Sequence, residues 1–225
     1  MLVGIAPFQK RFTLHHYIFT KRSVFFRAAR SGRWTPDTKP TDLHEHDPSI
    51  FDLYLHSVYQ NTLPTLPSVS SPPPKDDQGK YIKESSAQFR QRIANRKIAL
   101  DLRFHTLTRL YILADSLLDP ITTNLVIDEV ASLAWNCRHA PGTAVIDVAF
   151  ASTMEKDGLC NLLADLHAHL DETVPKGDLP NAFLSLVFQR FLTAKVIDDI
   201  RVQPSFTKRL ENLGADSDWK KSKYY

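Results

Sequence analysis

Cysteine is scarce in this chain: two residues, Cys137 and Cys160, in 225. That excludes a disulfide-stapled scaffold and points to a reducing compartment. Glycine is scarce as well, with seven residues and none arranged as a phosphate-cradling loop, so nucleotide binding of the P-loop or dinucleotide type is excluded. An excess of charge of one sign is also lacking. The net charge is +3, too small a footprint to demand nucleic acid or an anionic membrane as partner. No apolar run approaches the roughly 20 residues of a membrane span, and MLVGIAPFQK lacks the apolar core and small-residue cleavage site of a signal peptide. The expectation is an intracellular protein of the cytoplasm and/or nucleus, with no membrane association.

What the chain does have is core material. Hydrophobic residues make up 43% and charged residues 24%, ordinary for a globular protein long enough to bury a sizeable interior. Short strands are expected at Leu2–Ala6 and Arg11–Leu14 around a turn at Pro7, with a third near Thr41–Glu45. The remaining regular elements read as helices. His15–Thr20 is followed by Ser23, an N-cap for a turn carrying Phe25, Phe26 and Ala29. Asp47-Pro48 opens a helix with Phe51, Tyr54, Leu55 and Val58 on one face.

The Pro- and Ser-rich stretch of about 62–82 cannot build a core and reads as a flexible insertion. From Lys83 the pattern is helical again, and Leu100, Phe104, Leu107, Tyr111, Ala114 and Leu118 alternate steps of four and three, marking a buried helix. Asp119-Pro120 stops it. Further helices are expected over Ile121–Cys137, Ala144–Thr153, Leu159–Leu170 and Asn181–Ile200, and the polar, basic residues 215–225 read as a disordered tail.

Three segments in this order resemble the BTB/POZ domain in its filamentous-fungal form: FTLHHYIFTKRSVFFRAARSGRW, HDPSIFDLYLHSVYQN and RLYILADSLLDPITTNLVIDEV. The resemblance implies an α+β fold, mostly helical with a small three-stranded sheet. It places the BTB/POZ domain at 1–136 and a helical C-terminal extension at 137–214. It also implies a protein–protein interaction module without catalytic activity, and often a substrate adaptor for a cullin-type ubiquitin ligase. The alternative is a non-ligase scaffold or a transcription-linked interaction protein. Members that bind cullin often carry a hydrophobic-x-Glu motif after the second helix. Here that place holds Trp34-Thr35-Pro36, with Asp37 one position late. Many animal members exchange an N-terminal strand to dimerise, and the lead-in for that exchange is missing before Leu2, so a homo- or hetero-oligomer stays open as an expectation but not by that route.

The chemical readings are weaker. A nucleophilic Ser23 with His15 or His16 lacks a Gly-x-Ser-x-Gly context, so His15 is expected as a partly buried framework residue with His16 facing solvent. His44 and His46 would share a face only on a strand. His167 and His169 lie about 200° apart on a helix and cannot share a metal. Solvated side chains are expected at both pairs, and no catalytic, cofactor or metal-ligating residue is nominated. The candidate partner-binding residues are aromatic anchors and a neighbouring acid: Trp34, Asp37, Tyr59 and Phe188, with Phe191 beside the last. Tyr54 is assigned to the core.

Overall fold

A computed structural model describes residues 1–29, 42–64, 78, 84–154, 157–170 and 177–201. Most of the insertion at about 62–82, the extension beyond residue 201 and the tail 215–225 lie outside the described residues. Strands β1 (Leu2–Val3) and β2 (Lys10–Arg11) form an antiparallel hairpin, and β3 (Asp42–Leu43) returns parallel to β1, giving the order β2-β1-β3. The strands are shorter than the alternating pattern predicts. For β1 the reason is Gly4: at φ +87° it leaves the extended region, and a Cβ there would stand 2.8 Å from Cγ of Pro48. Pairing past β2 survives at the chain end, where Phe12 N donates to Met1 O at 2.9 Å and the Met1 ammonium donates to Phe12 O at 3.0 Å.

Helices follow as expected from their signals. α1 (His16–Arg22) and α2 (Val24–Ala29) flank Ser23, whose Oγ accepts from Phe26 N at 3.2 Å and donates to the carbonyl of Leu117. Ser23 is therefore a buried cap and not a nucleophile. α3 (Pro48–Gln60) begins at Asp47, which accepts from Ser49 N at 2.8 Å and Ser49 Oγ at 2.7 Å. α4 (Ser86–Ser116) is a single 31-residue helix, α5 (Pro120–Cys137) starts at Asp119, and α6 (Thr143–Ser152), α7 (Gly158–Leu170) and α8 (Asn181–Arg201) complete the bundle.

α4 is the central element, packing on α3, α5 and α6, while α7 packs on α5, α6 and α8. Leu100, Phe104, Leu107, Tyr111 and Ala114 are buried as their spacing predicts. Leu118 is not. α4 stops at Ser116, so Leu117 takes the buried place and Leu118, at φ 52°, turns outward. One buried cluster runs from Val3 to Leu166 across residue 137, so the 1–136 region and the start of the extension share a core. Ile146, Ala164, Leu179, Phe183 and Val187 form a second, smaller cluster beneath α8.

A polar network ties α1, α3 and α5 together. Asp119 is fully buried and accepts from Ile121 N (3.1 Å), Thr122 N (3.2 Å), Thr122 Oγ1 (3.0 Å) and the Tyr54 hydroxyl (3.2 Å). Arg22 Nε lies 3.3 Å from the same carboxylate, and the two terminal nitrogens of Arg22 donate to Ser57 O, Val58 O, Asn61 and Thr122. Burial, together with the Asp119 charge, pushes the Tyr54 phenol well above its ordinary value, so it acts only as a donor.

The α3 cap makes a pH-dependent prediction. The hydroxyl and amide of Ser49, in that order, hold the Asp47 carboxyl below its ordinary 3.8. A depressed carboxylate stabilises fully above its unfolded value and loses that stabilisation as pH falls through the folded value. Asp47→Ala should thus cost about 1 kcal/mol near neutral pH. The difference from wild type should shrink below pH 3.8, as urea titrations at neutral and at acid pH would show.

Candidate functional site, the outer face of α8

α8 follows Pro180, whose carbonyl accepts from Leu184 N at 3.1 Å and sets the first turn. At about 100° per residue, its apolar side chains divide into two neighbouring stripes. Phe183 and Val187 point inward and are buried. The Phe183 ring stands edge-on to Phe150 (centroids 5.7 Å) and to His167 (5.3 Å). Arg190, one turn on, donates from Nε to the buried Asp165 carboxylate and from Nη2 to Asn161 Oδ1 at 2.9 Å. These contacts pin the helix to α7 and fix its rotation.

The second stripe faces away from the core. Leu184, Phe188, Phe191 and Leu192 are all exposed, Phe188 by 63%. Leu184, Ser185, Val187, Phe188 and Phe191 line an open concavity of about 420 Å³, with no charged side chain among the described residues that line it. A large ring held proud of a rigid helix over an apolar hollow is suited to burying a partner's side chain.

The other nominated residues are placed differently. Trp34 and Asp37, with Pro36, lie outside the described residues. Tyr59, on α3, is 39% exposed, but its ring packs edge-on to Phe19 (5.6 Å) and His15 (5.6 Å), and its hydroxyl meets His15 Nδ1 at 2.9 Å. It braces α1 against α3 more than it presents an anchor. α3 packs on α1, α4 and α5 whereas α8 packs on α6 and α7, so Tyr59 and Phe188 belong to separate places in the fold. Tyr54 is core, as assigned.

Three expectations about histidine need correction or completion. His15 is exposed and not partly buried, because it sits before α1 as its cap residue, with its ring against that of Tyr59 on one side. His167 is buried and not solvated: Nε2 is 2.8 Å from Pro141 O, and the ring packs on Phe183. His169, two residues on, is exposed. His44 and His46 fall in the turn after β3. His44 approaches Glu45 at 3.7 Å and His46 approaches the Ser116 hydroxyl at 3.4 Å, so the shared strand face that a metal would need does not form. Among the described residues no group of three or more His, Cys, Asp and Glu side chains could hold a metal ion. Burial pushes the Cys160 thiol up to about 11, so it stays protonated at neutral pH.

Leu184 and Leu192 were the site residues that sequence reasoning missed. Their signal was available: with Phe188 and Phe191 they repeat at i, i+4, i+7 and i+8, offset by one residue from the buried Phe183 and Val187.

The chain is thus an α+β protein, mostly helical, with a small three-stranded sheet at its start and an exposed aromatic face near the end of the described residues. Among the described residues no helix is long and apolar enough to cross a membrane. No family model, curated protein or solved structure matches it.

Proposed function

We propose that this chain is a non-catalytic protein-interaction module of the BTB/POZ type, acting as a substrate adaptor for a cullin-type ubiquitin ligase. The observation that carries the interaction reading is the outer stripe of α8: four exposed apolar residues, two of them aromatic, on a helix whose other face is pinned by Phe183, Val187 and Arg190. Monomeric proteins seldom expose such a contiguous apolar patch without using it. The BTB/POZ reading draws its support from the three sequence segments. The order of hairpin, helix pair, a strand returning beside β1, a helix and then a packed helix pair is in keeping with it.

The adaptor role rests on Trp34 as the hydrophobic anchor. Pro36 in place of Glu forgoes a charge-assisted hydrogen bond worth about 1.5–3 kcal/mol, so cullin affinity should be lower than that of a module carrying the acid. Titration calorimetry against the N-terminal region of a cullin tests this. The expected result is measurable binding that Trp34→Ala weakens about tenfold or more and Pro36→Glu strengthens. Heat indistinguishable from dilution for both wild type and Pro36→Glu would overturn the adaptor role and leave the scaffold reading.

A further inference from the structure

The apolar stripe that α4 buries from Leu100 onward does not stop at Leu100. Traced toward the N-terminus at helical spacing, it continues through Ile93 and Phe89. Among the described residues the cover ends there: the buried residues of α4 begin at Leu100, while Ile93 and Phe89 are 43% and 50% exposed. Residues 86–99 thus form an arm about 21 Å long at 1.5 Å per residue, projecting past the elements that cover the rest of the helix. Its start is set firmly. Ser85 Oγ accepts from Gln88 N at 3.3 Å, and Gln88 Oε1 accepts from Ser85 N at 3.0 Å, a reciprocal cap. Arg92 is held by the Glu84 carboxylate through contacts of 2.9–3.2 Å.

The charge on this arm has one sign. Arg90, Arg92, Arg96 and Lys97 lie between Ser85 and Leu100, and that stretch has no Asp or Glu. Arg96 falls on the stripe and Lys97 at its edge, between Ile93 and Leu100. Arg90, Arg96 and Lys97 make no ion pair among the described residues, whereas Arg103 and Arg109 farther along α4 are matched by Glu129 and Asp47. A second copy of this chain laid along the arm would set cation against cation. A bare polyanion would leave Phe89 and Ile93 unused.

We infer that the α4 arm is a docking site for an acidic amphipathic helix of a protein partner, whose apolar residues cover Phe89 and Ile93 and whose carboxylates pair with Arg90, Arg96 and Lys97. Such a helix extends the packing that α4 already makes in the core and supplies the missing charge. The surface is separate from the α8 face and stands whether or not that face binds a partner.

The test is fluorescence polarisation with a labelled helical peptide bearing leucine on one face and glutamate on its flanks. A scrambled peptide of the same composition and a labelled duplex oligonucleotide serve as comparisons. The full chain should bind the amphipathic peptide about tenfold or more tightly than the scramble. Phe89→Ser with Ile93→Ser, and separately the triple change Arg90→Glu, Arg96→Glu, Lys97→Glu, should each weaken it by at least about tenfold. The triple variant should gain affinity for the matching leucine–lysine peptide, a gain that mere misfolding would not produce. Phe188→Ser should leave the affinity unchanged, and all variants should keep the wild-type helical circular dichroism. Absence of peptide binding would overturn the proposal. So would tighter binding of the oligonucleotide that ignores Phe89 and Ile93, or a dimer in sedimentation that Phe89→Ser dissociates.

Discussion

Asp119→Ala should unfold this protein more readily than any other single polar substitution among the described residues. The carboxylate is wholly out of water, caps α5 through two amides, accepts from Tyr54 and Thr122, and lies 3.3 Å from an Arg22 that is itself nearly buried. Removing it leaves a guanidinium in the interior without its counter-charge and four other donors without their acceptor. Breaking a buried pair in this way costs about 3–5 kcal/mol, which for a chain of this size lowers the melting temperature on the order of 10 °C. Asp119→Asn keeps an acceptor for the cap and should cost less. Thermal melts of the two variants beside wild type check this, and a shift of only a degree or two for Asp119→Ala would show that the network is dispensable.

The second large effect separates the two stripes of α8. Phe183→Ala removes a fully buried ring that touches Phe150 and His167, and core Phe→Ala changes cost about 3–5 kcal/mol. Phe188→Ala, five residues along the same helix, removes a ring that is 63% exposed and should alter stability by no more than about 0.5 kcal/mol. Denaturant titration of both variants reads the difference directly. Because α8 closes a small cluster of its own, Phe183→Ala should also raise amide exchange along α8 while sparing α4. Equal losses from the two substitutions would mean that the outer stripe is packed in solution, and the interaction surface would have to be sought elsewhere.

Much of this architecture was legible in the residues. Ser23, Asp47-Pro48 and Asp119-Pro120 mark helix starts by local chemistry, since each oxygen caps amides within three residues of itself. Such signals need no knowledge of the rest of the chain. The stripe from Leu100 to Ala114 was equally plain because α4 is covered on one side over that length. What failed depended on distant parts. The first strand was cut short by Gly4, whose conformation is tied to its close approach to Pro48. Leu118 was lost because α4 ends two residues earlier than the spacing alone suggests, and His167 is buried because Phe183 and Pro141 close over it.

The candidate site was half legible for the same reason. Aromatic content singled out Phe188, but spacing alone could not say which of two adjacent α8 stripes faces α7. That is decided by the Arg190–Asp165 contact, which joins positions 25 residues apart.

The central claim, that the outer face of α8 is where this chain meets other proteins, is tested most directly by quantitative affinity purification. Wild type would be run beside Phe188→Ser with Phe191→Ser, with Tyr17→Ser, at another exposed aromatic, as the control. The account predicts a defined set of co-purifying proteins that falls about tenfold or more in the α8 variant and is unchanged in the control. Recovery of the same set at the same level by all three chains would contradict it.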